Sequence, residues 1–569
     1  MKLRRNTSIL TILFFCLSVY SSLAQSMSQI GYVPSSEKRL FLDAKYANAD
    51  FKVVNNQSVV FEGVVTPAKE WPASGTAVCY ADFSALQKDG QYSLLIGGVS
   101  LTDSILIKSD IYHSVSVALV KSYYMARASQ EIFPRYAGDY ARLAGHIDNK
   151  VIVHPSAASK QRPAGFVFSS PGGWYDAGDY NKYIVNSGIS TYELLHAYDL
   201  FGAQLEGFNT NIPESGNGVS DLIDETIYNL RWMLTMQDPN DGGVYHKLTS
   251  KSFTGMELPN LDSTKRYVVS KTTAATLDFA ATMAKAYRVL LPLSKAFPSL
   301  ADSCISCSKS AYKWALLHPD IQYVQASDIH TGQYEDNHLS DEWFWASMEL
   351  FYSTHHTSYL NQINLATQKF TNPNWADVNT LALFSLVSIN GRSGLSADNE
   401  TLLNTSLVTL ADKYLHIYKS SAYRVSLDTF PWGSNGELAN QGVLLMHAYL
   451  ITKNREYLNA ADAAANYLLG ANPLGYCFIT SFGKKSPKHI HDRRSEGDHV
   501  VAPIPGLLVG GPTTQARSDC GEGAYLSAYP ALSYSDLNCS YSTNEIAINW
   551  NASAALLFIG LDILHADKK

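Results

Sequence analysis

The sequence predicts a mainly α protein in which a small β-sandwich leads into a large helical domain. Three observations point there. Short apolar runs alternate between residues 28 and 108, the period becomes helical from residue 111 onward, and two long stretches, 130–182 and 470–544, follow neither pattern. A chain of 569 residues is also too long for one compact core, so a large domain with a smaller companion is expected.

The elements follow in chain order. Lys2, Arg4 and Arg5, an apolar run from Ile9 to Tyr20 and Ser22-Leu-Ala24 read as a cleavable export signal over residues 1–24, which predicts a secreted or periplasmic protein starting near Gln25. Residues 25–108 form the predicted sandwich. Its strands are Arg39–Leu42, Phe51–Val54, Ser58–Phe61, Ala77–Tyr80, Gln91–Leu95 and Ser104–Ile107, with turns at Asn55-Asn56 and Asp89-Gly90. Over residues 109–569 the period predicts helices at 111–129, 183–201, 220–237, 272–291, 301–318, 340–354, 357–369, 377–389, 397–419, 435–452, 455–469 and 545–565. Consecutive helices pack most simply as antiparallel pairs, and a ring of such pairs or a solenoid satisfies the pattern equally. No segment after the leader is apolar for long enough to span a membrane. The long irregular stretches 130–182 and 470–544 are of the kind that carry function in a compact domain.

Composition narrows the partner. Net charge is −7 with no long basic run, which argues against nucleic acid or an anionic membrane surface and for a neutral substrate. The 35 Tyr, 9 Trp and 22 Phe supply flat faces suited to sugar stacking as well as to core packing. Six cysteines follow the leader, and their pairing is not readable; Cys304-x-x-Cys307 is only half of a four-ligand zinc site.

Three segments carry chemistry. Gly172-Gly-Trp-Tyr-Asp-Ala-Gly-Asp179 holds two carboxylates three residues apart, close enough for their charges to split their pKa values, beside Trp174, Tyr175, Tyr180 and Tyr183. The same residues suit a turn ahead of a helix. Second, His489, His491 and Arg493 alternate along a loop, which fits hydrogen bonding to sugar, a His489-x-His491 metal pair or plain solvated surface. Third, Glu545 stands where a loop becomes an apolar helix; it favours the helix dipole there, or in a substrate-covered pocket serves as a general acid.

Together the three segments resemble glycoside hydrolase family 9. Gly172 to Asp179 is similar to the family's first catalytic motif, Gly483-x-Lys485 with Ile490-His-x-Arg493 to its histidine signature, and Tyr534-x-Asp536 with Tyr541, Glu545, Ala547 and Asn551-Ala to its acid signature. Gln29-Ile-Gly-Tyr-Val-Pro34 resembles the start of the immunoglobulin-like module found in one branch. The resemblance implies an (α/α)6 barrel after an immunoglobulin-like sandwich, and inverting hydrolysis of β-1,4-glucan polysaccharide or oligosaccharide by an endoglucanase. It implies Asp179 as base, Asp176 as its helper, Glu545 as acid, His491 as a tuning residue, Asp536 as a supporting one, and Arg493 and Tyr541 as substrate contacts. Trp174 and Trp432 are further candidate contacts. Inversion requires acid and base about 6.5–9.5 Å apart. Alternatives are an exo-acting cellodextrinase, a xyloglucan or mixed-linkage glucanase, a glycan-binding protein without catalysis, and a metal-dependent hydrolase. The chemistry needs no cofactor under this resemblance. Absence of cysteine between Tyr136 and Ser170 removes the family's zinc site, whereas Asn337 to Glu342 resembles its calcium loop, with Asp341, Glu342 and Asp377 as ligands.

Overall fold

The computed structural model describes residues 25–566 apart from 390 and 522. The predicted leader, residues 1–24, lies outside them. A sheet ordered Arg39–Asp43, Thr76–Asp82, Lys69–Trp71 faces a second ordered Ser58–Val64, Asp50–Asn55, Gly90–Ile96, Val99–Ile107, with every pairing antiparallel. Leu40, Leu42, Phe51, Val53, Leu94 and Ile105 fill the space between. The hairpin at residues 55–58 turns through Asn56 and Gln57, both at positive φ, as a two-residue turn between right-twisted strands demands. Phe41, from the opposite face of its strand, packs with Trp71 against Tyr423 of the helical domain, at ring separations of 5.0 and 4.9 Å. That strand is therefore apolar on both faces.

Six inner helices close a ring: Ile184–Leu205, Thr273–Leu290, Ser340–Thr354, Asn379–Ile389, Ser434–Thr452 and Ile548–Ala566, each packed on the next and the last on the first. The outer layer contains His113–Ala126, Asp221–Thr235, Leu300–Leu317, Ala397–Ser420 and Arg455–Leu468. Burial separates the layers physically. Ile548–Ala566 is buried almost throughout, while only one stripe of Ala397–Ser420 is. The fold is an α/α barrel behind a β-sandwich, and a solenoid is excluded by the closure. No helix among the described residues is long and apolar enough to cross a membrane.

One predicted helix is corrected. Over 357–369 only the 3-10 segment Thr357–Gln362 forms, after which the Asn364 side chain accepts from Ala366 N and takes the backbone out of the helical ladder. The periodicity also passed over a five-stranded sheet in the barrel, built from Lys182–Tyr183, Lys247–Thr249, Tyr267–Val268, Val151–Val153 and Val167–Phe168. Strands of two or three residues leave no period to read.

Candidate active site

Single-residue bridges stitch the three chemical segments together at one end of the barrel. Ala177 pairs with Ala547, His491 with Glu545, and Val509 with Ile546. Asp176 O accepts from Ile548 N at 2.9 Å, and His491 N donates to Asn544 O at 2.9 Å. Gly178 lies at the crossing: a Cβ there would overlap the His491 carbonyl oxygen and come within 3.1 Å of Glu545 Oε1. The result is a cleft of about 990 Å³ whose walls include Asp176, Asp179, Glu545, His491, Arg493, Trp432 and Tyr541.

The carboxylates occupy different surroundings. Asp176 is buried; its Oδ1 accepts from Asn186 Nδ2 at 2.6 Å and its Oδ2 from Tyr334 OH at 2.7 Å. Burial, then the charge of Asp179, pushes Asp176 up to about 8 against those two hydrogen bonds. Asp179 Oδ2 accepts from Tyr183 OH at 3.2 Å and from the Asn181 side-chain amide. Two like charges this close favour one proton between them, and the more enclosed Asp176 holds it. Glu545 is raised well above the ordinary carboxylate range, by burial first and then by Asp179, with Arg493 opposing and Gly178 N donating at 3.3 Å. The cleft thus offers one carboxylate able to take a proton and another able to give one.

His491 Nδ1 faces the carbonyl of Asn538 at 2.6 Å, so that nitrogen carries the proton and donates. Burial lowers its pKa, which leaves the ring neutral with Nε2 as an acceptor. Arg493 spends donors on Gly178 O at 2.7 Å and Thr254 O at 3.0 Å, and lies 5.5 Å from the Phe253 ring centre. Tyr541 and Trp432 stack at 5.7 Å and are 39% and 38% exposed, a ready sugar platform.

Two candidates sit elsewhere. Trp174 is wholly buried, its Nε1 donating to Glu225 Oε1 at 2.8 Å, and packs on Tyr123 in the core; it touches no part of the groove. Asp536 stands behind the cleft, accepting from His489 N at 2.9 Å, Lys488 N at 2.9 Å, Asn544 Nδ2 at 3.0 Å and Tyr476 OH at 2.7 Å. With its oxygens so engaged it braces the histidine loop against the segment before Glu545 and stays clear of the reacting centre. Sequence reasoning missed Asn186, Tyr334, Trp375 and Phe253. Asn186 falls one turn into the helix after the Asp pair, a position from which a side chain returns to the preceding loop; the others come from loops with no pattern of their own.

Among the described residues, no three of His, Cys, Asp or Glu are arranged to hold a metal ion, so Asp341, Glu342 and Asp377 do not stand as a formed ligand set, nor do His489 and His491. Asp341 Oδ2 accepts from Val378 N at 2.8 Å. In the buried acidic group of Asp278, Asp336, Asp341 and Glu342, the Glu342 carboxyl hydrogen-bonds to Asp336 and Asp341 while both Asp278 oxygens lack partners, and carboxylate oxygens are hard donors of the kind calcium takes. One disulfide, Cys520–Cys539, closes the loop ahead of Tyr541.

The family described as "Glycosyl hydrolase family 9" matches residues 112–558, and "Cellulase N-terminal ig-like domain" matches residues 26–100. The chain is 41% identical over 567 residues to the xyloglucan-specific endo-beta-1,4-glucanase BoGH9A of Bacteroides ovatus, covering 96% of this chain and 95% of that protein. It is 29% identical over 542 residues to endoglucanase D of Acetivibrio thermocellus, covering 94% and 82%. A solved structure described as Bacteroides ovatus GH9 superposes with a TM-score of 0.89 at 40% identity, over 96% of this chain and all of that one.

Proposed function

The chain belongs to glycosyl hydrolase family 9 and is a glycoside hydrolase; from that premise we propose that it cuts β-1,4-glucan internally by single-step inversion, with xyloglucan as the substrate to test first. One observation carries this reading: Glu545, raised well above its ordinary range, shares a cleft with a carboxylate pair in which Asp176 keeps the proton. Asp179 takes a proton from water as the water attacks the anomeric carbon. Asp176, held by Asn186 and Tyr334, orients that water. Glu545 gives its proton to the departing glycosidic oxygen. His491 Nε2 and the Trp432–Tyr541 platform receive the sugar. A cleft of about 990 Å³ supports a polymer lying across it, and the name of the Bacteroides ovatus relative supports a branched one. Calcium is the last part of the proposal, as a structural ion with no part in the chemistry: Asp278, Asp336, Asp341 and Glu342 form no ligand set as they stand, and would have to turn toward one another to bind it.

The test uses Asp179→Asn and Glu545→Gln, assayed for new reducing ends on xyloglucan and on an unbranched soluble β-glucan. Each is expected to lose about 10²–10⁴-fold in rate. Unchanged rates in both variants sink the assignment. In the parent protein, fresh product of β configuration sinks inversion, and faster cleavage of the unbranched chain sinks the xyloglucan preference.

A further inference from the structure

Behind the carboxylate pair lies a buried cation that the hydrolytic roles leave unused. Lys247 begins a strand of the small barrel sheet and pairs there with Tyr183, whose hydroxyl donates to Asp179. Its side chain is out of reach of solvent, and three acceptors surround its nitrogen: Gln325 Oε1 at 2.9 Å, Thr331 Oγ1 at 3.1 Å and Gly332 O at 2.5 Å. Three acceptors match the three N–H bonds of an ammonium. The adjoining His246 grips the next residue along, with Nε2 donating to Gln333 O at 2.8 Å while its ring stacks on Tyr323 at 4.1 Å.

Both side chains therefore hold one strap, Thr331 to Tyr334. At its end Tyr334 donates to Asp176 and packs against Tyr183 at 4.6 Å and Trp375 at 5.0 Å. Tyr334 has φ of 50°, a left-handed conformation that a bulky side chain keeps only where the surroundings impose it. Gly332 fits because it lacks a Cβ, which would press to 3.1 Å from the Tyr183 hydroxyl. We infer that Lys247, seconded by His246, is a positioning residue for hydrolysis, tethering the Thr331–Tyr334 strap over the carboxylate pair so that Tyr334 keeps its hydrogen bond to Asp176. This rests on Asp176 and Asp179 as the water-activating pair. Burial pushes Lys247 down to about 7, with the charges of Asp179 and Glu335 acting against that, so the full set of donors is present on the acid side of neutrality.

Lys247→Met keeps the length and apolar stem while removing donors and charge. Its kcat on soluble β-glucan is expected to fall about tenfold or more, with KM changed less than about threefold, because the loss concerns alignment in the transition state. Tyr334→Phe is then introduced into both backgrounds. Acting through the strap, Lys247 predicts that Tyr334→Phe costs much less in Lys247→Met than in the parent protein; a general structural role predicts losses that multiply. Thr331→Val repeats the comparison if Lys247→Met does not fold, and is expected to show the same shortfall from multiplication. A kcat within about twofold of the parent, or multiplicative losses, overturns the inference. The two layers of argument fail differently: an active Asp179→Asn removes the underlying reading, while an inactive Asp179→Asn beside an undiminished Lys247→Met removes the strap alone.

Discussion

Asp176 keeps a proton that the unfolded chain releases. Its pKa is raised from 3.8 to about 8 in the folded state, so the folded protein binds more protons than the unfolded chain between those values, and stability drains away as pH rises through that window. Asp176→Asn removes the titration. Its amide can accept from Asn186 and donate to the Tyr334 oxygen. We expect this variant to lose hydrolysis yet melt higher than the parent at pH 8, on the order of 1–2 °C, with no advantage at pH 4. Thermal unfolding at the two pH values checks this, and equal differences at both contradict it. At this scale the sequence marked Asp176, Asp179, Glu545, His491, Arg493, Trp432 and Tyr541, all of which line one cleft. It misplaced Trp174 because an indole beside a catalytic motif reads the same whether it faces sugar or Glu225. Asp536 was legible as part of a motif but not as a brace, since Lys488 and His489 of the histidine loop, which it ties to its own segment, lie 48 and 47 residues away.

The elements meet at the site through contacts one residue wide, which makes Gly178 decisive. Its Cα is pressed between the His491 carbonyl and Glu545. Gly178→Ala must push the Asp loop off the Glu545 segment, and a displacement near 1 Å is expected to cost about 100-fold in kcat with little change in melting temperature. Steady-state kinetics beside a melting curve tests this, and a kcat within twofold of the parent contradicts it. Helices were the legible elements. Inner and outer helices both repeat at 3.6 residues, so period alone located them over hundreds of residues, and the 357–369 stretch failed where the Asn364 side chain competes with the helical ladder. The strands of two and three residues that carry Tyr183 and Lys247 have no such signal, although Tyr183 lines the cleft. Their register is a product of the barrel, not of local sequence.

Across the whole molecule, the buried acidic group joins two inner helices. Asp278 lies on Thr273–Leu290, while Asp341 and Glu342 open Ser340–Thr354 and burial with mutual repulsion raises Asp278 and Glu342 well above the ordinary range. A cation bound only by the folded barrel stabilises it by mass action. Chelation is expected to lower the melting temperature by several degrees, with calcium restoring it and activity at 25 °C unchanged; a melting curve indifferent to both would discard the ion. The closure of the ring was not legible in the periodicity, because pairing of neighbouring helices is common to rings and solenoids; only the resemblance carried by the three chemical segments implied it.

The Gln29 side chain, at the very front of the sandwich, accepts from the backbone N–H of Lys484 and Lys485 at 2.7 and 2.9 Å and donates to Gly475 O at 3.1 Å. Those partners open the loop that carries His491. At about 5–20 residues per second, the 455 residues separating Gln29 from Lys484 take roughly 20–90 s to synthesise. The sandwich is thus finished and waiting when the histidine-bearing wall of the cleft leaves the ribosome, and it serves as a template on which a late, patternless loop finds its shape.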